Sequence, residues 1–251
     1  MATDEQDEVT AAESDTAAPA AQGMMSLVDH LQELRHRLIK IIIALVATSS
    51  VCYFYAVDLV SFITAPAGKL YYMHPAEAFF TYLKVSFFVG FLIALPVILY
   101  QVWAFILPAL TGTEKKVSFF LVPASVLLFL AGLAFSYFLA LPAGIRFMLG
   151  FATDSLQPLF SIGDYLSFVI SFLLPFGFVF ELPLFITVAA KLGLLTSDFL
   201  KKKRKVVFVL SFVFGAILSP TPDVFSQTLV AVPMLILYEI SLLIVRYILR
   251  K

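Results

Sequence analysis

Apolar residues in this chain gather into six long runs separated by short polar stretches. The runs cover about Ile41 to Val57, Val85 to Leu107, Val117 to Leu141, Tyr165 to Ala190, Val206 to Leu218 and Val224 to Val245. A helix crossing the ~30 Å hydrocarbon core of a bilayer needs roughly 20 such residues. It also satisfies every backbone polar group within its own segment, which hydrocarbon demands. A transmembrane barrel shows short segments of alternating polarity, and these runs do not alternate. The pattern predicts an all-α integral membrane protein with six transmembrane helices.

Composition agrees. Apolar residues fill 61% of the 251 positions and charged residues 14%, whereas soluble domains sit near about 45–50% and about 25%. A soluble domain of this length cannot hide so much apolar surface, so the excess faces lipid. The formal net charge is zero, which argues against a nucleic-acid partner. The lone cysteine, Cys52, lies in an apolar run, so no internal disulfide or thiolate metal site can form.

The charges that are present set a topology. Arg35, Arg37 and Lys40 precede the first run, Lys115 and Lys116 lie between the second and third, and Lys201 to Lys205 lie between the fourth and fifth. Arg246, Arg250 and Lys251 close the chain, while the alternate loops hold only Lys69 and Arg146, with Lys84 at the edge of the second run. Basic loops stay cytoplasmic. Both termini are therefore expected on the cytoplasmic side of the membrane. Residues 1–23 carry Asp4, Glu5, Asp7, Glu8, Glu13 and Asp15 with no basic residue. That segment is expected to be a disordered acidic tail, and residues 24–251 the membrane domain.

The uncharged cores of the last two runs are short, and about 13 to 17 residues reach only roughly 20–25 Å. The bilayer is expected to thin beside them. Pro96, Pro123, Pro175, Pro183 and Pro233 fall inside the runs, and each tends to bend its helix. Bent helices of unequal length favour a cupped, concave bundle.

Glu181 is the most costly residue in the chain. It lies near mid-membrane, where a charge costs on the order of 2.5–3.5 kcal/mol on insertion scales. It either ties two of its own helices together, or offers a docking point or proton-relay position. The stretch SLVDHLQELRHRL, Ser26 to Leu38, spaces Leu27, Leu31, Leu34 and Leu38 three and four apart. That spacing marks an amphipathic interfacial helix. Within it, Glu33 stands among Arg35, His36 and Arg37, either as an internal ion pair or as a carboxylate presented to a cationic ligand. Glu114 follows in LPALTGTEKK, on the same expected side. Two such carboxylates can each take a guanidinium, a geometrically selective pairing. In SPTPDVFSQ, Pro220 and Pro222 set a turn, Asp223 can cap the following helix, and Gln227 is a candidate polar contact.

No H-E-x-x-H, G-x-S-x-G or P-loop pattern occurs. His30, His36 and His74 are scattered, so neither catalytic residues nor a metal or other cofactor can be argued. The basic run Lys201 to Lys205 reads as a topology signal, then as a lipid head-group contact.

The residues that carry a family likeness are HLQELRHRL at 30–38, the Pro66 region, ALPVILYQVWAFILPAL at 94–110, Glu114, PFGFVFELP at 175–183 and PDVFSQTLVAVPM at 222–234. Together they resemble TatC, the receptor-subunit family of the twin-arginine protein translocase, over about residues 25 to 250. The resemblance implies a glove-like six-helix cup that binds twin-arginine signal peptides of folded cargo proteins. It matches Glu33, Arg35 and Glu114 to the recognition surface, and Glu181 and Gln227 to polar positions in the membrane. It implies TatA-like and TatB-like single-span partners along the last two helices, in an oligomeric complex driven by the proton-motive force. Two other readings stay open on the residues alone. One is a proton-coupled solute transporter using Glu181, although no internal repeat is seen. The other is an intramembrane hydrolase, for which no paired nucleophile and base can be found.

Overall fold

A computed structural model of the chain describes residues 27–64, 70–106, 115–151, 153, 159–219 and 223–249. Nine α-helices occur among them: α1 Leu27–Phe54, α2 Ala56–Thr64, α3 Pro75–Ile106, α4 Lys115–Phe135, α5 Leu141–Leu149, α6 Ile162–Phe180, α7 Leu182–Lys191, α8 Ser197–Leu218 and α9 Val224–Leu243. π-helical turns at Ser136–Ala140 and Ile244–Ile248 extend α4 into α5 and lengthen α9. The one strand-like pairing among the described residues is an isolated bridge between Tyr71 and Ser161.

Among the described residues, five helical stretches are long and apolar enough to cross a membrane: His30–Phe54, Pro75–Ile106, Phe120–Leu149, Ile162–Lys191 and Val224–Ile248. The remaining apolar run forms the second half of α8, behind five consecutive basic residues. Its thirteen uncharged positions, Val206 to Leu218, reach about 20 Å at ~1.5 Å per residue. The last run lies in a helical stretch that continues to Ile248, past the Glu239 that ends its uncharged core. Glu239 is accommodated at its surface, where one carboxylate oxygen meets Arg204 of α8 at 2.6 Å.

The amphipathic N-terminal stretch differs from expectation too. It is not a separate helix but the opening turns of the 28-residue α1. No proline, glycine or turn-forming residue separates Leu38 from Ile41, so nothing stops the helix from running on into the first apolar run.

Proline positions explain the other breaks. Pro183 has no N–H to offer Val179, four residues back. The fourth run therefore divides at Glu181, whose own N–H turns to Phe178 O at 3.1 Å. The π-helical turn of the third run ends just before Pro142, which occupies the first turn of α5. Helix α7 closes with Leu194 N bonded to Ala189 O and Gly193 N to Ala190 O, each at 3.0 Å. This paired closure needs a left-handed residue, and Gly193 supplies it at φ 78°.

Helix α1 packs along α3, α4 against α6, and α8 against α9. Close approach rests on small residues, as is common where lipid supplies no hydrophobic drive. At the α4–α6 contact, Gly132 lies against the backbone of Phe176 and Gly177 against the ring of Phe129. Phe129 of α4 and Phe172 and Phe176 of α6 are fully buried, as is Trp103 of α3. Large apolar side chains such as Ile43, Phe62, Phe120, Phe138 and Ile217 remain exposed, as a surface in hydrocarbon requires.

Candidate functional site

Antiparallel packing of α1 on α3 brings the N-terminal turns of α1 to the C-terminal end of α3. The His30 ring stacks on Phe105 with centroids 4.3 Å apart. Glu33 and Arg37, one helical turn apart, share the α1 face turned to α3. Arg37 Nε donates to Glu33 Oε1 at 3.0 Å, its Nη2 donates to the same oxygen, and its Nη1 donates to Gln101 Oε1 at 3.2 Å. Glu33 Oε2 is buried and has no hydrogen-bond partner among the described residues. Arg35, two positions away and so on another face, is exposed. Glu114 lies outside the described residues.

Glu181 sits between α6 and α7 and is only 2% exposed. Its Oε2 accepts from Ser125 Oγ at 2.9 Å, and Ser125 Oγ accepts from Trp103 Nε1 at 2.6 Å. The Trp103 indole also stacks on Phe185 of α7, with centroids 5.0 Å apart. One chain of contacts thus links α3, α4 and the α6–α7 junction. Glu181 Oε1 is buried with no hydrogen-bond partner among the described residues.

Gln227 Nε2 donates to Phe212 O at 2.7 Å, tying α9 to α8. Asp223 caps α9, its Oδ1 accepting from Ser226 N at 2.7 Å. Pro66 and Pro222 lie outside the described residues. Farther along the same pair of helices, the Tyr238 hydroxyl donates to Leu200 O at 2.7 Å.

Several polar partners escaped the sequence reading. Gln101 and Trp103 were visible as hydrogen-bonding residues inside an apolar run. Ser125 gave no signal. Glu77, at the opposite end of α3, also went unnoticed: it accepts from Met73 N at 2.6 Å, Gly163 N at 2.7 Å and the Ser161 hydroxyl. That carboxylate fastens the start of α3 to the start of α6. No group of three His, Cys, Asp or Glu side chains suited to a metal occurs among the described residues.

Fold and contacts define a multi-pass helical membrane protein with polar groups at both ends of α3 and inside an apolar bundle. The model of one family, described as "Sec-independent protein translocase protein (TatC)", matches residues 29–233. The chain belongs to that family. It is 41% identical over 229 residues to the TatC of Carboxydothermus hydrogenoformans, covering 89% of this chain and 94% of the relative. It is 40% identical over 228 residues to the TatC of Escherichia coli K12, with 88% of each covered. A crystal structure of a twin-arginine translocase receptor, TatC, superposes with a TM-score of 0.77 at 41% identity, over 86% of this chain and 98% of that one. Membership makes the chain a transport component of the membrane rather than an enzyme, and sets aside the solute-transporter and hydrolase readings.

Proposed function

We propose that the chain is the receptor and core subunit of a twin-arginine export system. Its membrane domain crosses the plasma membrane of a bacterium or archaeon six times, α8 included, with both termini cytoplasmic. Glu33 and Glu114 each accept one guanidinium of an arginine pair in the signal peptide of a folded cargo protein, and Arg35 borders the site. TatA-like and TatB-like single-span subunits dock along α8 and α9, with Glu181 and Gln227 as the polar positions that meet them. Export draws on the proton-motive force.

The observation that carries this reading is the state of Glu33. Arg37 already holds Oε1 and fixes the carboxylate's orientation, while Oε2 has no hydrogen-bond partner among the described residues. A buried charged oxygen without a hydrogen bond is costly, and an incoming guanidinium removes that cost with a directional, charge-assisted contact. The surrounding basic residues reject unrelated cationic segments, so selectivity comes from local pairing.

Site-specific crosslinking tests the proposal. Probes beside positions 33 and 114 should capture a peptide with two consecutive arginines, and a two-lysine peptide should be captured far less. Glu33→Ala combined with Glu114→Ala should abolish capture while the protein still inserts. Undiminished capture would refute the receptor reading.

A further inference from the structure

Lys84 of α3 stands at the junction of two cavities. One, of about 540 Å³, is lined by polar groups that include His74, Glu77, Lys84 and Asp164. The other, of about 650 Å³, is largely apolar and includes Leu45, Lys84, Phe91, Leu174 and Phe178. Two helical stripes build both. On α6, Asp164, Ser167, Ser171, Leu174 and Phe178 follow at three- and four-residue steps, so they share one face. On α3, Glu77, Lys84, Phe88 and Phe91 follow at steps of seven, four and three residues and likewise share a face. Each stripe is charged at one end and apolar at the other.

The charges are unequally committed. Glu77 is spent on backbone N–H groups and the Ser161 hydroxyl. Lys84 Nζ donates to Ser167 Oγ at 2.9 Å but forms no ion pair among the described residues. The exposed Asp164 side chain forms none either. A cation and an anion are therefore open at one end of an apolar slot. From Ser167 to Phe178 the slot runs about 16 Å at ~1.5 Å per residue, close to half of a ~30 Å hydrocarbon core. Its length is that of one leaflet.

We propose that this slot holds one phospholipid with a primary-ammonium headgroup, of the phosphatidylethanolamine kind. The phosphate rests on Lys84, the ammonium on Asp164, and an acyl chain lies along Phe91, Leu174 and Phe178. A headgroup that is only anionic meets Lys84 but is repelled by Asp164 and Glu77. A trimethylated headgroup has no N–H to give Asp164. The zwitterion with free N–H bonds answers both charges.

Native mass spectrometry of the full chain in detergent tests this, with phosphatidylethanolamine, phosphatidylglycerol and phosphatidylcholine of matched acyl chains titrated separately. Phosphatidylethanolamine should bind about tenfold more tightly than either of the others, the worth of one charge-assisted contact. Lys84→Gln should weaken phosphatidylethanolamine and phosphatidylglycerol alike, and Lys84→Arg should restore both. Asp164→Asn should erase the preference for phosphatidylethanolamine. Leu174→Trp, which fills the apolar arm and leaves the charges intact, should weaken all three lipids. Equal binding of the three lipids by the unaltered protein would overturn the proposal. So would binding unchanged in both Asp164→Asn and Leu174→Trp, the variants that decide the matter should Lys84→Gln fail to fold.

Discussion

The indole nitrogen of Trp103 donates to the Ser125 hydroxyl at 2.6 Å, in a place from which solvent is wholly excluded. That hydroxyl spends its single proton on Glu181. Three side chains from three helical segments therefore depend on one oxygen atom.

Removing that oxygen should be costly. Ser125→Ala leaves the Trp103 N–H and Glu181 Oε2 without partners, and each buried orphan costs about 1–3 kcal/mol. Trp103→Phe, which deletes the donor as well as its hydrogen bond, should cost less at the polar site but lose indole packing. Thermal unfolding in detergent should rank Ser125→Ala well below the unaltered protein. Glu181→Gln, which still offers an acceptor to Ser125, should unfold at a higher temperature than Glu181→Ala.

Glycines should divide into two kinds. Gly177→Ala and Gly132→Ala push a methyl group into Phe129 and into the Phe176 backbone respectively, and overpacking typically costs about 1–3 kcal/mol. Gly193→Ala meets no atom within 4 Å. Its cost is the left-handed backbone alone, about 1–2 kcal/mol, and Gly193→Asn should recover part of it. Folded yield and unfolding temperature would separate the classes, since Gly177→Ala should improve when Phe129 is trimmed to Leu and Gly193→Ala should not.

Arg37 should matter to peptide capture without touching the peptide. Arg37→Ala frees Glu33 to rotate and leaves Gln101 Oε1 without its donor, so capture of a diarginine peptide should fall about tenfold, the worth of one charge-assisted contact. Arg37→Lys keeps the charge but not the two-pronged grip, and should fall between. Rising ionic strength should weaken capture in all three proteins, as screening requires of a partly exposed charge site.

The α8–α9 pair offers a contrast between two polar links. Arg204 and Glu239 are each about half exposed, and such pairs contribute about 0–1 kcal/mol. Glu239→Ala should leave stability almost unchanged. Asp223→Ala removes a helix cap, which costs about 0.5–2 kcal/mol, and should be the more damaging change by thermal unfolding.

The apolar runs made the membrane class and most helix positions legible, because hydrocarbon permits so few backbone solutions. What stayed hidden depends on contacts between distant segments. The union of the amphipathic stretch with the first span turned on the absence of a stop signal between Leu38 and Ile41, a weaker cue than the leucine spacing. Glu33 and Glu181 stood out because acids are rare near lipid. Gln101, which accepts from Arg37, and Ser125, which donates to Glu181, did not, since a glutamine or a serine in an apolar helix has many uneventful explanations. Nor did the sequence show what makes Glu239 acceptable in the last run, since its partner Arg204 lies 35 positions earlier.

The π-helical turn at Ser136–Ala140 acts as a fixed phase shift in the third span. One added residue in a helix turns everything beyond it by about 100° about the axis. Downstream of it, Gly144 faces the Phe172 ring and Phe147 stacks on Phe225, with centroids 4.4 Å apart. Shortening that turn by one residue would swing both positions away and bring Arg146 round by the same angle. The length of this loop of backbone, more than its side chains, keeps a cation out of the bundle and an aromatic pair in place.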